Sequence, residues 1–221
     1  VRHVARRGDR AWLAGLGVAA VPLADAHGGL TGVLLFHDLP IARFNAHRVA
    51  ELAPLGDRIR VIAGAPESAL RVPSDEIARR RDLGLPEGYV LLSGSSAASD
   101  RLRTGFEAVA TSGRDTAVVV IDAPDGQEPA IAELAAAAGL PERRVHVRGH
   151  LEAPDRAAVL AGAVALLAPS DGTAFPWRTL DALRLGVPIV AADSATHREL
   201  LLDGATFAPG DAGSLGDELA A

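Results

Sequence analysis

The stretch that most constrains the fold runs from Ala165 to Asp193 and reads as a strand, a loop, a helix and a second strand. Ala165–Ala168 is a short apolar run typical of a buried strand, and Pro169–Thr173 consists of turn-forming residues. Pro176–Leu185 carries apolar residues at helical spacing, and a glycine and a proline then separate it from the apolar run Val187–Ala191. Such a unit builds a parallel sheet, whose ligands lie beyond the carboxyl ends of the strands.

The same alternation of strand-length apolar runs and helical spacing fills the chain after residue 73. The predicted strands are Tyr89–Ser93, Ala117–Ile121, Val145–Arg148, Ala165–Ala168, Val187–Ala191 and Thr206–Phe207. The predicted helices are Asp75–Asp82, Asp100–Ser112, Glu128–Ala138, Asp155–Gly162, Pro176–Leu185, Ala195–Leu202 and Ala212–Ala220. Six strands separated by helices predict an α/β fold with a Rossmann-like, doubly wound parallel sheet.

The first 65 residues carry a shorter version of this pattern. The predicted elements are a strand that begins at Gly17 and is ended by Pro22, a strand over Thr31–Phe36, a helix over Ala42–Ala53 and a strand over Arg58–Ile62. Loop-forming residues then mark a domain boundary. We therefore predict an incomplete Rossmann-like domain over residues 1–65, a hinge over residues 66–82 and a second domain over residues 83–221.

Composition excludes several kinds of site. The chain has no Cys, which rules out disulfides and thiolate ligands, and all 22 basic residues are Arg, so a phosphate clamp would use guanidinium or backbone N–H groups. The net charge of −6 argues against general nucleic-acid binding, and no apolar run is long enough to span a membrane. Because the chain begins at Val1 and contains no Met, we expect either a fragment or a chain with segments missing.

From Pro169 to Ala191 the sequence resembles the donor-site motif of the GT-B glycosyltransferases of family 4, the group 1 retaining enzymes. Their motif runs Pro-Ser, a loop, Glu-Gly-Phe-Gly, a helix with a second Glu, and Gly-x-Pro-Val-Val-Ala. The residues in register with it are Pro169, Ser170, Phe175, Leu180, Gly186, Pro188 and Ile189–Ala191. The segment RIRVIAGAPES is similar to the hinge of these enzymes, and ARRRDLGLPEGYVLLSG to the start of their donor domain, so the resemblance covers residues 58–221.

The departures from the motif fall on positions that carry chemistry. Thr173 stands in place of the first Glu, Ala174 and Pro176 replace the two glycines, and Asp181 replaces the second Glu. In the family the first Glu contacts the donor sugar, and the Gly-Phe-Gly N–H groups meet the sugar and the diphosphate. The resemblance therefore assigns Thr173 to the catalytic set and the N–H groups of Ala174 and Phe175 to donor binding, although a plain strand-to-helix turn remains the alternative.

Asp181 stands where the family binds the ribose hydroxyls of the nucleotide. A carboxylate that accepts from two adjacent hydroxyls suits that role, and Asp is one methylene shorter than Glu. The alternative is an ordinary helix carboxylate paired with Arg178 or Arg184 on neighbouring turns.

Gly94 and Ser95 follow the first strand of the second domain, where small residues let a phosphate approach the backbone. Relatives carry an Arg-Lys pair at the positions of Ser99 and Asp100, and Arg101 is the nearest cation that could replace it. The alternative is that Arg101 and the neighbouring Arg103 are exposed arginines on a helix.

Three histidines fall near the implied site. His37 ends a strand, and relatives often carry a His there that faces the sugar from the acceptor side, so we assign it to the catalytic set beside a purely structural alternative. His146 and His150 flank the expected base pocket, where backbone atoms rather than rings would meet the base.

The resemblance implies a retaining transferase that moves a sugar from a nucleotide-diphosphate donor to an unknown acceptor, with no metal or cofactor. A bacterial, cytoplasmic enzyme is expected, without a nucleic-acid partner; peripheral contact with a membrane stays open. The second hypothesis is a catalytically degenerate GT-B-like domain that binds a nucleotide or serves as a partner or regulatory module, and Thr173 favours it. A nucleotide-sugar epimerase is a third, which no residue selects.

Overall fold

The computed structural model describes residues 18–24, 30–37, 70–170 and 176–221. In the first unit of the chain, β1 (Val18–Ala24) and β2 (Leu30–His37) form a two-stranded antiparallel sheet in which Val18 lies opposite His37. The predicted helix over residues 42–53 and strand over residues 58–62 lie outside the described residues. The predicted domain bounds stay a prediction.

The prediction that Pro22 ends the first strand is wrong. β1 continues to Ala24, and Pro22 lies opposite Val33 of β2. A proline has no N–H to donate, so it is tolerated in a strand that, among the described residues, pairs only with β2.

The second unit is built on a six-stranded, fully parallel sheet. Its strands are β3 (Tyr89–Ser93), β4 (Ala117–Ile121), β5 (Val145–Val147), β6 (Ala163–Ala168), β7 (Ile189–Ala192) and β8 (Thr206–Ala208). The spatial order is β5-β4-β3-β6-β7-β8. The chain first moves outward from β3 in one direction and then resumes beside β3 with β6. In open parallel sheets of this kind, the crevice that binds ligands lies at the carboxyl ends of the two strands where the direction reverses, here β3 and β6.

Helices connect all of these strands. They are α1 (Glu76–Asp82), α2 (Leu102–Thr111), α3 (Glu128–Ala137), α4 (Ala153–Gly162), α5 (Trp177–Leu185), α6 (Ala195–Leu201) and α7 (Ala212–Ala220), with short 3₁₀ turns at Ala98–Asp100 and Glu142–Arg144. Every element predicted for residues 75–221 is present within two residues of its predicted bounds. One helical layer holds α2, α3 and α7, and the other holds α1, α4, α5 and α6.

The end of α5 explains why β7 begins two residues later than predicted. Gly186 has φ +72°, a left-handed conformation that glycine adopts without steric cost. The N–H of Val187 still donates to Ala182 O at 3.0 Å, so this residue belongs to the helix end and the strand starts at Ile189.

The core lies between the sheet and the two helical layers. The middle strands are buried on both faces, as a parallel sheet covered on both sides requires: Val118–Ile121 of β4 are fully inaccessible. Leu92, Phe106 and Leu215 meet in the cluster beneath α2 and α7. This core fixes the strand ends that carry the polar residues described below.

We predict that Leu202→Gly stabilises the protein. Leu202 follows α6 with φ +47°, a conformation that costs a leucine about 1–3 kcal/mol, and its side chain is 71% exposed, so little packing is lost. Part of this gain is offset because glycine adds about 0.5–1 kcal/mol of entropy to the unfolded chain. Leu202→Ala is the matched control, because it removes the same exposed side chain and keeps the strained Cβ. Chemical denaturation should rank Gly above Ala, and the reverse order would contradict the assignment of strain.

Candidate functional site

A network of ion pairs lies at the carboxyl ends of β3 and β4, beside the first turn of α5. Arg178 on α5 forms a two-pronged contact with Asp122, the residue after β4: Nε donates to Oδ2 at 2.6 Å and Nη2 to Oδ1 at 3.0 Å. Ser93, the last residue of β3, donates its hydroxyl to Asp122 Oδ2 at 2.8 Å. One carboxylate therefore ties two strand ends to the helix.

The backbone of Asp122 is held in an uncommon conformation. Its φ is +60°, in the left-handed region that Asp and Asn tolerate better than most residues. The N–H of Asp122 donates to Gly149 O at 3.3 Å, and the N–H of Ala123 to Arg148 O at 3.2 Å. These bonds join the end of β4 to the segment after β5 and turn the Asp122 carboxylate toward Arg178.

Asp181 lies deeper in the same network. Its Oδ2 accepts from Arg178 Nη1 at 2.8 Å and lies 3.4 Å from Nε of Arg156 on α4, and the Asp181 and Arg156 side chains are both more than nine-tenths buried. Arg184, the other partner considered from the sequence, instead donates to Leu70 O at 3.2 Å. The structure thus shows the pairing of Asp181 with Arg178, in a position that a ligand reaches only by rearranging it.

Two opposed effects act on the Arg178 guanidinium. Burial works to lower its pKa, while the hydrogen bonds and negative charges of Asp122 and then Asp181 act to raise it. The carboxylates prevail, and the pKa of Arg178 is raised above its ordinary value. The Arg178 guanidinium therefore keeps its positive charge across the usual pH range.

The loop after β3 is filled by internal hydrogen bonds. Gly94 has φ +140°, and a Cβ there would approach Asp100 Oδ2 to 2.9 Å. The N–H and hydroxyl of Ser95 both donate to that same oxygen at 2.7 Å, and those of Ser96 both donate to Gln127 Oε1, at 2.9 and 3.0 Å. Gly94 and Ser95 thus surround the Asp100 carboxylate, and their role in donor binding stays a prediction.

Arg101 directly precedes α2 in a left-handed conformation with φ +53°, and its N–H donates to Ala98 O at 3.3 Å. Its Nη1 lies 3.2 Å from where a Cβ of Gly210 would stand. Arg103 is exposed and pairs with Glu107 at 2.8 Å along the helix, which matches the alternative described for it.

The remaining predicted residues are placed less completely. Thr173, Ala174 and Phe175 lie outside the described residues, and His37 is the last residue of β2, where only its backbone is described. Pro176 precedes α5, and its carbonyl accepts from Thr179 and Leu180. Their roles stay predictions.

The two histidines beside the expected base pocket differ in environment. His146 lies in β5, where burial, aided by the charge of Arg148, lowers the pKa of its ring. His150 is exposed and lies 3.8 Å from Glu152. In residues 70–170 and 176–221, no three His, Asp or Glu side chains gather as metal ligands.

A cavity of about 560 Å³ lies at the opposite end of the sheet. Its lining includes Arg114, Thr116, Val164 and Pro188, which stand at or before the amino ends of their strands. Ligands of open parallel sheets bind at the carboxyl ends, so the network around Asp122 is the better candidate site.

Sequence reasoning missed Ser93, Asp122 and Arg156. The signal for the first two was available, because each is a polar residue directly at the end of a buried apolar strand. Arg156 offered no such signal, since an arginine on a helix is usually exposed.

A profile of the family described as Glycosyl transferases group 1 matches residues 88–221, more than half of the chain. The chain belongs to this family. The matched region contains Ser93, Asp122, Arg178 and Asp181, so the network lies within the part of the chain that matches the family. No curated protein sequence matches the chain.

Solved structures share the fold. Anabaena Alr3699/HepE in complex with UDP and glucose aligns with a TM-score of 0.64 and 22% identity, over 84% of this chain and 53% of its own. Sucrose-phosphate synthase from Thermosynechococcus elongatus aligns with a TM-score of 0.62 and 19% identity, over 78% of this chain and 46% of its own. The C-terminal domain of the group 1 protein LpcC from Francisella tularensis aligns with a TM-score of 0.55 and 16% identity, over 71% of this chain and 86% of its own.

These comparisons confirm the predicted fold class, a GT-B-type, Rossmann-like parallel sheet. The chain spans about half the length of HepE and of the synthase. Within the part of the chain that the structure describes, no helix is long and apolar enough to cross a membrane.

We predict that Asp181→Asn is strongly destabilising. The change removes the carboxylate that Arg178 and the buried Arg156 share, and breaking a buried pair in this way costs about 3–5 kcal/mol. Asp217→Asn, on the exposed side of α7, is the control and should change the unfolding free energy by less than about 0.5 kcal/mol. Equal effects of the two changes in urea denaturation would show that the buried network contributes no stability.

We predict that the folded protein loses stability in acid because of His197 on α6. The ring is fully buried and Nδ1 donates to Ala192 O at 2.8 Å; burial lowers its pKa below the ordinary 6.5, and this hydrogen bond opposes the shift only in part. Between the folded pKa and 6.5 the unfolded chain binds the proton and the folded chain does not, so stability falls as the pH drops below 6.5.

The comparison variant is His197→Gln, whose amide N–H₂ can still donate to Ala192 O. The unfolding free energy of the native chain should fall more steeply than that of the variant from pH 7 to acid. Parallel curves would mean that His197 binds its proton equally in both states.

Proposed function

We propose that this chain is the donor-binding part of a glycosyltransferase that moves a sugar from a nucleotide diphosphate to an acceptor with retention. The observation that carries the proposal is the position of the polar network. Ser93, Asp122 and Arg178 gather at the carboxyl ends of the strands, beside the crevice where the strand order reverses, within the segment that matches the group 1 family. That is where an open parallel sheet binds its ligand.

The chemical task is to stabilise the leaving diphosphate and a positively charged sugar. N–H groups at the start of a helix and Arg side chains stabilise an anion without a metal. Under this proposal Ala174 and Phe175 supply the N–H groups, Thr173 faces the sugar, and His37 faces it from the acceptor side. The HepE structure contains UDP and glucose, so a uridine diphosphate sugar is the first donor to test.

The domain assignment belongs to the same proposal. Residues 83–221 bind the donor, residues 66–82 form the hinge, and residues 1–65 contribute the acceptor side. From the family resemblance we place the enzyme in a bacterial cytoplasm, with an acceptor of unassigned chemistry.

A specific observation favours the second candidate, a degenerate domain that binds a nucleotide or a protein partner. The N–H and hydroxyl of Ser95 donate to the Asp100 carboxylate, and Asp181 is buried between Arg156 and Arg178. The resemblance assigns Ser95 and Asp181 to contacts with the nucleotide sugar, but here both side chains bond to other residues of the chain. Thr173 also lacks the carboxylate that the family uses toward the sugar.

Nucleotide binding and Thr173→Glu separate the two candidates. We expect calorimetry to detect one of UDP, GDP and ADP, and the corresponding nucleotide sugar to be hydrolysed slowly. Restoring the family carboxylate should raise this turnover at least about tenfold, since one well-placed group contributes a factor of this order or more.

Thr173→Gln, which has the length of Glu without its charge, is the matched control and should not raise turnover. Turnover unchanged by Glu while the nucleotide still binds would support the degenerate domain. If none of the three nucleotides binds, the proposed function is wrong.

A further inference from the structure

Asp122 and Arg178 present the accessible edge of the polar network, and Asp181 does not. The side chains of Asp122 and Arg178 are 25% and 22% exposed, whereas that of Asp181 is 4% exposed. We propose that the Asp122–Arg178 pair recognises a pair of adjacent hydroxyl groups on the donor. The inference rests on the proposed function, and it transfers to this pair the role that the resemblance gives to Asp181.

The hydrogen-bonding capacity of Arg178 supports this assignment. A guanidinium carries five N–H donors, and three are used here: Nε and one on Nη2 toward Asp122, and one on Nη1 toward Asp181. Among the described residues, none accepts from the other two N–H groups, one on each terminal nitrogen. They belong to a side chain that reaches solvent, so a ligand can meet them without breaking the network.

Asp122 supplies the complementary acceptor. Its Oδ2 already accepts from Ser93 and from Arg178 Nε, while Oδ1 accepts from Arg178 Nη2. Because each carboxylate oxygen has two lone pairs, Oδ1 retains one. The Asp122–Arg178 pair therefore offers a ligand one acceptor, Oδ1 of Asp122, and two donors, the remaining N–H groups of Arg178. Two adjacent hydroxyls can accept from the two N–H groups, and one of them can donate to Oδ1.

The charges of the network favour hydroxyls over a phosphate. Asp122 and Asp181 carry two negative charges, and Arg156 and Arg178 carry two positive charges, so the cluster is neutral as a whole. A neutral cluster gives little attraction to a diphosphate, whereas uncharged hydroxyls need only fixed donors and acceptors. Ribose and the transferred sugar both offer adjacent hydroxyls.

The buried members hold this pair in place. Ser93 fixes Asp122 from β3, and Asp181, itself paired with Arg156, fixes the far side of Arg178. Asp181 is thus a positioning residue that acts through Arg178. A preorganised pair of this kind loses little entropy when a ligand binds.

The test uses Asp122→Asn and Arg178→Lys in the full chain. Asn tolerates the left-handed backbone at residue 122 and removes the charge, while Lys keeps the charge of Arg178 and loses its planar fork. Calorimetry would measure UDP, GDP and ADP, the three 2′-deoxy diphosphates, and UDP-, GDP- and ADP-glucose. Asp125→Asn, which removes an exposed carboxylate three residues away, is the matched control.

In the native chain and the control we expect the loss of a recognised hydroxyl to weaken binding about tenfold or more, because a hydrogen bond to a charged group is lost. In Asp122→Asn and Arg178→Lys the ratio of the two dissociation constants, with and without that hydroxyl, should approach one. If the ratio between the 2′-deoxy and the ribo diphosphate falls to one, ribose is the group recognised. If the ratio between the free diphosphate and its glucose ester falls to one, the sugar is.

Two results overturn the inference and differ in what they leave standing. If the native chain binds a nucleotide but both ratios are the same in the native chain and in whichever variant folds, the pair does not recognise hydroxyls and the proposed function survives. If the native chain binds none of these compounds, the proposed function fails and the inference fails with it.

Discussion

The two-pronged contact between Arg178 and Asp122 ties the first turn of α5 to the end of β4, and the candidate site depends on it. It directs one guanidinium toward two carboxylates and leaves part of its edge accessible. The hydroxyl of Ser93 and the left-handed backbone of Asp122 both serve this contact. Because the pair is anchored on β3, β4 and α4 as well as on α5, the start of α5 is held at the crevice of the sheet by charge as well as by apolar packing.

The chain has the fold of its family, and the loop after β3 departs from the sequence motif that the resemblance implies. Asp100 stands at a position to which the family resemblance assigns a cation, and it accepts both donors of Ser95. The loop after β3 is therefore stable without an anion, and a diphosphate would have to displace a carboxylate of the same sign. A site that works under these conditions would gain its affinity mainly from hydroxyl and base contacts and less from phosphate contacts.

The fold of residues 75–221 could be predicted from the sequence because each helix and strand is marked by residues within or next to it. The apolar runs of β3, β4 and β6 and the Gly186 and Pro188 pair mark their elements without reference to the rest of the chain. The ion-pair network could not be predicted, because Arg178 and Asp122 are 56 residues apart in the sequence and are brought together only by the order of the strands in the sheet. For Asp181 the sequence left two alternatives, because a carboxylate on a helix pairs either with an arginine or with a ligand. The burial of the side chain decides between them, and burial is not visible in the sequence.

A crystal structure of the chain with the nucleotide that it binds most tightly tests the central claim most directly. We expect the nucleotide at the carboxyl ends of β3 and β4, with hydroxyl groups within hydrogen-bond distance of Asp122 and Arg178. Density in the cavity of about 560 Å³ at the amino ends of the strands, with no ligand beside Arg178, would contradict it.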